Sequence, residues 1–365
     1  MRHAMIMAGG AGTRLWPMSR AKLPKQLIPF IGGKSLLQVA VERLHDVVPT
    51  KHRYICASRA YQDAVLKSIP EINSDQYYGE PMGRDTLNAI GFVAADLVRQ
   101  DPDAILAVFT ADHLIEPVDR FRETVDHGFQ VVEKHPNALV TLGIKPTHPA
   151  TSYGYLKLGS KLNDTMGRSI EQYKEKPDAN TAKQYFDAGA DSYLWSGGMF
   201  VWRAQTMMEM IKRFAADNYL GLDRIGQQYR TDQGPEILDT TYPQLQKISI
   251  DYAVMEPASQ DPQTLVVAIP LEVEWLDIGS WPSFAKTCDH DEQENAIAAE
   301  HHILMDSQGT LVASNDDKHL ITTIGCRNLI VVHTPDATLV CQADQAERIK
   351  QLHEKIGEQL GTHWL

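Results

Sequence analysis

The residues Ala8-Gly9-Gly10-Ala11-Gly12-Thr13-Arg14 carry three glycines, and Arg20, Lys22 and Lys25 follow close behind Arg14. Glycine lets backbone N–H groups approach a ligand with no side chain in the way. Four cations within twelve residues add the charge that a polyphosphate needs. Two familiar phosphate loops do not fit. The dinucleotide pattern G-x-G-x-x-G, begun at Gly10, requires glycine where Leu15 stands. The Walker pattern, ended on Gly33-Lys34-Ser35, requires its leading glycine at Ile28, beside Pro29. The loop is therefore a third kind of phosphate cradle.

Two acids follow apolar runs at a distance. Asp112 closes Phe109-Thr110-Ala111-Asp112, and Asp277 lies in Trp275-Leu276-Asp277-Ile278-Gly279. Mg²⁺ prefers one or two carboxylates plus substrate oxygens and waters, so the pair makes a two-sided metal cradle. His113 is read as a structural neighbour, because Mg²⁺ favours oxygen over nitrogen. In Glu175-Lys176-Pro177, the lysine can hold a second phosphate as a point charge. The polar turn Glu80 to Asn88 contains Gly83 and Arg84 and precedes a helix. Its helix N-terminus suits a base or a phosphate. The Glu80 carboxylate could accept hydrogen bonds from N1–H and the N2 amino group of guanine. The alternative for this turn is a plain helix cap by Asp85 or Thr86.

These residues need a frame that holds the ends of strands together. Apolar runs at 3–7, 54–57, 104–109 and 138–144 read as strands. Helical spacing over 35–44, 61–69, 88–98 and 121–133 alternates with them. That alternation predicts an open α/β sheet with helices on both faces, with ligands beyond the carboxyl ends of its strands. Strands at 153–158, 169–173, 193–202 and 265–269 and a helix at 204–214 follow, while 215–250 is polar and reads poorly. After about residue 290, short β-rich runs recur at a spacing near ten residues, which suggests stacked strands. A last helix over 345–360 puts Ala346, Ile349, Leu352, Ile356 and Leu360 on one face, suited to a neighbouring domain or subunit. His301-His302 lacks metal-ligand spacing.

The chain has 365 residues, 43% hydrophobic and 22% charged, as expected of a soluble globular protein of two domains. No run reaches the roughly 18 apolar residues of a membrane span. The first apolar run breaks at Gly9, unlike a signal peptide. Four cysteines without a C-x-x-C pair fit reduced cytoplasmic thiols. The net charge of −12 disfavours general nucleic-acid binding. Residues 1–41 nevertheless contain no acid, only Arg2, Arg14, Arg20, Lys22, Lys25 and Lys34, so +6 sits there and −18 on the remainder. A small polyanionic ligand at the N-terminal site accounts for that asymmetry.

The run GGAGTRLWPMSRAKLPKQ resembles the signature of sugar-1-phosphate nucleotidyltransferases, and its Leu15-Trp16-Pro17 and Pro24-Lys25-Gln26 forms resemble the mannose-1-phosphate guanylyltransferases. EPMGRDT (80–86), FTADHLI (109–115), SYGYLKLG (152–159), EKPDANTA (175–182), WSGGMFVW (195–202), SIDYAVME (249–256) and WLDIGSW (275–281) keep the family order along nearly the whole chain. The resemblance implies a Rossmann-like nucleotidyltransferase domain with a mixed sheet over 1–288. It also implies a small left-handed β-helix with a terminal helix over 289–365. It implies Mg²⁺, the substrates GTP and mannose 1-phosphate, and the products GDP-mannose and pyrophosphate. Ala8, Gly9, Gly10, Gly12 and Thr13 would hold the nucleotide, with Glu80, Gly83, Arg84 and Asn88 toward the base. Arg14 and Lys25 would grip phosphates as catalytic residues, and Asp112 and Asp277 would hold the metal. Gly154, Glu175, Lys176 and Ser196 would surround the sugar phosphate.

Ser152, Asp85, Ser196 and Pro257 depart from the usual family residues, which touches the choice of sugar more than the phosphate chemistry. Another hexose phosphate or NTP, or a nucleotide-sugar sensor without turnover, are the competing readings. Replacing Arg14 or Lys25 by alanine is expected to remove turnover without unfolding the chain. A homodimer is expected from the apolar terminal helix and the resemblance. The chain is expected to be too short for the isomerase domain of long bifunctional relatives.

Overall fold

Nine strands assemble into one mixed sheet in the structure, a computed structural model that describes residues 1–10, 12–163 and 165–365. In chain order they are β1 (Arg2–Met7), β2 (Arg53–Ser58), β3 (Tyr77–Glu80), β4 (Ile105–Thr110), β5 (Leu139–Ile144), β6 (Tyr155–Lys161), β7 (Arg168–Lys174), β8 (Tyr193–Arg203) and β9 (Val266–Leu271). Their order across the sheet is β3-β2-β1-β4-β8-β5-β9-β7-β6. The first four are parallel, with Ala4 beside Arg53 and Ala107. β8 runs antiparallel between β4 and β5, so the sheet is mixed. β1, β4 and β5 are buried on both faces, which is why they read as unbroken apolar runs rather than alternating ones.

The chain divides into two compact units. One comprises Met1–Gly9, Ala40–Ala111 and Ile115–Trp275, and contains the whole sheet. The other comprises Gly10–Val39, Asp112–Leu114 and Leu276–Leu365. The C-terminal rungs therefore cluster with the N-terminal signature segment.

Within the first unit, the poorly readable stretch 215–250 forms helices at Ala216–Gln228 and Gly234–Thr241. They bury Leu222, Ile225 and Leu238 in the main core, and Tyr242, in the 3₁₀ turn that follows, is buried with them. Their polar outer faces and short lengths hid them from periodicity. The helix Asp85–Gln100 is longer than the 88–98 spacing predicted, because Asp85 enters it at φ +68° and its carboxylate accepts from the Thr86 N–H (2.9 Å). β3 is only four residues long and follows the capping box of Asn73 and Gln76, so it carried little strand signal.

Within the second unit, Ala296–Ala298, Leu311–Ser314 and Leu329–Thr334 stack as parallel rungs, and His301–Met305 stacks on Leu320–Ile324. This is a β-helix. Its buried Leu311, Ala313, Ile330 and Val332 share one core with Leu15, Trp16, Met18, Ile28 and Leu36 of the signature segment. The expected last helix is a 3₁₀ turn at Ala343–Arg348 followed by an α-helix at Ile349–Leu360. Of its apolar stripe, Ala346 and Ile349 are buried, while Leu352 and Leu360 stay exposed. All four cysteines are free thiols. Among the described residues no helix is long and apolar enough to cross a membrane.

Candidate active site

In the second unit the signature segment turns sharply after Gly12, which lies at φ +61° and leads into the 3₁₀ turn Thr13–Leu15. A Cβ on Gly12 would lie 2.7 Å from Lys25 Cβ, so both its conformation and the lysine stem require glycine. Ser19 Oγ and the Leu15 N–H donate to the Gly12 carbonyl at 2.7 and 2.8 Å. Gly10 has open space where a side chain would be. Ala11, within the same loop, lies outside the described residues. Lys25 is buried, and its ammonium donates to Asp112 Oδ2 at 2.6 Å and to the Ile278 carbonyl at 3.2 Å.

The Ile278 N–H in turn donates to the Asp112 carbonyl (3.0 Å), which brings the two expected metal acids side by side. Asp112, Asp277 and His113 can each offer one ligand atom, all within 4.8 Å of one another. Burial opposes ionisation of Asp112, but the Lys25 ammonium and His113 outweigh it and hold the carboxyl down at about 2. Asp277 is pushed up to about 6 by burial and by the charge of Asp112, against the pull of Lys25 and Arg14. Two oxygen acids, one of them disfavoured by the other's charge, fit a hard divalent cation, which would relieve that repulsion. His113 lies within the same group, closer to the acids than a mere sequence neighbour need be. The Arg14 guanidinium lies near Asp277: its Nη2 is 3.6 Å from the position of a Cβ on Gly279. It also bonds the Glu347 carboxylate at 3.1 Å.

In the first unit, the expected base-side residues separate into two kinds. Glu80 is buried at the end of β3, with Oε1 accepting from the Tyr242 hydroxyl at 2.6 Å and Oε2 3.8 Å from the Cβ position of Gly9. Burial raises its carboxyl, partly offset by that hydrogen bond. Gly83 is open around its Cβ position. Ala8 is fastened into the sheet by its N–H to the Cys56 carbonyl (2.9 Å). Arg84 and Asn88 instead brace the turn. The Arg84 guanidinium donates to the Pro243 carbonyl. Asn88 is fully buried; its Nδ2 donates to the Arg84 and Gln246 carbonyls (2.7 and 2.8 Å), and its Oδ1 accepts from Asn218 (2.8 Å). With its amide already engaged on both sides, Asn88 holds the loop's shape.

The four residues expected around the sugar phosphate lie together. Glu175 Oε2 lies 2.6 Å from a Cβ built on Gly154, and the Tyr173 hydroxyl 3.1 Å from it, so any side chain there would strike the acid. The Ser196 N–H donates to the Gly154 carbonyl at 2.8 Å. Lys176 stands at φ +43°, unusual for a residue with a side chain, and its ammonium lies 3.0 Å from Glu175 Oε1. Glu175 is pushed up to about 7, first by burial and then by Asp251, against the pull of Lys176. Sequence reasoning missed the partners that complete these clusters: Tyr242, Tyr173, Asp251 and Glu256. The run at 249–256 contains two of them, but only the fold brings Asp251 and Tyr173 into contact.

A model of the nucleotidyl transferase family matches residues 3–294. A model of the MannoseP isomerase/GMP-like beta-helix domain matches residues 300–356. The xanthan biosynthesis protein XanB of Xanthomonas campestris pv. campestris (strain B100) is 34% identical over 364 residues, covering 96% of this chain and 72% of that protein. The mannose-1-phosphate guanylyltransferase of Salmonella montevideo is 32% identical, covering 96% and 73%. That of Escherichia coli is 30% identical, covering 99% and 75%. Among solved structures, the protein named mannose-1-phosphate geranyltransferase from Thermus thermophilus superposes with a TM-score of 0.84 at 31% identity, covering 97% of this chain and 99% of that one.

Proposed function

This chain belongs to the nucleotidyl transferase family, as an enzyme with mannose-1-phosphate guanylyltransferases among its relatives, and we propose that it transfers GMP from GTP to α-D-mannose 1-phosphate. A phosphate oxygen of the sugar phosphate forms the new bond to the α-phosphorus of GTP. The bond from that phosphorus to the bridging oxygen breaks, and pyrophosphate leaves with its electron pair. The observation that carries this chemistry is the Lys25–Asp112–Asp277 cluster directly behind a glycine turn. The choice of guanine and mannose rests on the relatives.

No protein nucleophile is needed. The barrier comes from bringing together two anions with about −5 to −6 of charge between them. The work is positioning and charge neutralisation. Arg14 offsets charge developing toward pyrophosphate, and Lys25, held at a fixed depth by Asp112, places the α- and β-phosphates. Lys176 aims the attacking phosphate. Glu80, fixed by Tyr242, accepts from the guanine edge. Asp112 and Asp277 would hold Mg²⁺, which when bound supplies further neutralisation of the phosphate oxygens.

The test is product formation by the purified chain given GTP, mannose 1-phosphate and Mg²⁺. GDP-mannose and pyrophosphate should appear in equal amounts, stop when a chelator removes the cation and resume when Mg²⁺ is restored. Turnover that persists at full rate in excess chelator would remove the metal role of Asp112 and Asp277. No GDP-mannose at all would sink the reading.

A further inference from the structure

Asp251 lies outside the expected set of site residues, yet it stands among the sugar-side residues. It begins a π-helical turn, Asp251–Met255, which passes directly into the short helix Glu256–Gln260. Such one-residue widenings are uncommon and concentrate at functional sites. Here the turn places two acids against the end of β7. Glu256 takes the structural share: its carboxylate accepts from the Glu175 N–H (3.1 Å) and from the Lys174 ammonium (2.9 Å). Asp251 has a different partner. Its Oδ1 accepts from the Tyr173 hydroxyl at 2.5 Å.

The Tyr173 hydroxyl therefore fixes a partly exposed carboxylate beside Glu175. The same Tyr173 hydroxyl and the Glu175 carboxylate both close on Gly154. The charge balance of this group is uneven, with two carboxylates set against the single ammonium of Lys176. A phosphate satisfies Lys176 but repels both acids. Ionised carboxylates are acceptors only, and the partners that suit them without adding charge are hydroxyl donors. A hexose 1-phosphate carries both parts, a phosphate at one carbon and ring hydroxyls at the others. Burial raises both acids, the charge of Asp251 raises Glu175 further, and hydroxyl donors would relieve that cost.

Resting on the sugar-phosphate reading of this cluster, we propose that Asp251 is a specificity-determining residue that accepts hydrogen bonds from ring hydroxyls of the hexose 1-phosphate alongside Glu175, with Tyr173 as the residue that positions it. The role differs from that of Lys176 and Glu175 because Asp251 reads the sugar and leaves the phosphate alone.

The experiment measures KM for the sugar phosphate and for GTP in the full chain carrying Asp251→Asn or Tyr173→Phe, with glucose 1-phosphate compared against mannose 1-phosphate. Asp251→Asn should raise KM for mannose 1-phosphate by about tenfold or more and leave KM for GTP within about twofold. It should also narrow the preference between the two hexoses. Tyr173→Phe should move the same two quantities in the same direction by about two- to fivefold, and it carries the test if Asp251→Asn does not fold. A variant that folds with unchanged sugar KM and unchanged preference, or with both KM values raised alike, overturns the assignment alone. A wild-type chain that turns over no hexose 1-phosphate with any NTP overturns the functional reading and this assignment with it.

Discussion

Arg14 and Lys25 carry the same expected role, but their surroundings separate the consequences of removing them. Arg14 is half exposed and its partner Glu347 is more exposed still, so their ion pair adds little to stability. Arg14→Ala should keep its melting temperature within about 1–2 °C and lose roughly 10²- to 10³-fold in turnover. Lys25 is different, because it is itself buried and neutralises a half-buried carboxylate. Lys25→Ala should lose turnover similarly and also about 1–3 kcal/mol of stability, because Asp112 is left without its cation. The sequence alone suggested that neither change would disturb the fold. Thermal melts of the two variants, run beside their rates, check the contrast. Glu175 gives a pH signature. Its carboxyl is raised from an ordinary 4.5 to about 7, so the native state holds a proton that the unfolded chain releases earlier. The stability it contributes is fully present below about 4.5 and is lost as pH rises through about 7. Glu175→Gln should therefore flatten the dependence of melting temperature on pH across that window. An unchanged slope would show that the carboxyl titrates normally.

At the level of elements, what the sequence exposed and what it hid have distinct physical causes. Strands buried on both faces, such as Ile105–Thr110, announce themselves as apolar runs, and the helix Ala204–Phe214 reads true from spacing alone. The glycine turn, Lys25, Asp112 and Asp277 were legible because their chemistry is concentrated in short runs. The bracing of the site was not legible, because it is long-range. Tyr173 and Asp251 are 78 positions apart, and Tyr242 and Glu80 are 162 apart. Periodicity has no access to such pairs. Nor could it separate Glu80, whose Oε2 faces Gly9, from Asn88, whose amide is used up inside the protein. Both lie in one polar turn and look alike as residue types. In the last helix the apolar stripe was visible, but only the fold shows that it is half used, with Ala346 and Ile349 buried and Leu352 and Leu360 left outside.

Across the whole molecule, the division into units follows contacts rather than chain order. The signature segment Gly10–Val39 clusters with the C-terminal β-helix, and their shared core joins Leu15, Trp16 and Ile28 to Leu311, Ile330 and Ile349. Trp16 Nε1 also donates to the Trp364 carbonyl at 2.8 Å, and the Arg20 guanidinium donates to the same carbonyl. A chain cut after residue 288 would expose that core beside the glycine turn. It should lose both turnover and the cooperative unfolding of the second unit, whereas a β-helix that is a mere appendage would leave a truncated chain active. Guanylyl transfer to mannose 1-phosphate itself is checked without intermediaries by pyrophosphate release across a matrix of the four common NTPs against mannose, glucose and galactose 1-phosphates. GTP with mannose 1-phosphate should exceed every other pair by about tenfold or more in kcat/KM. Another pair that equals or surpasses it would overturn the assignment of guanine and mannose to this site.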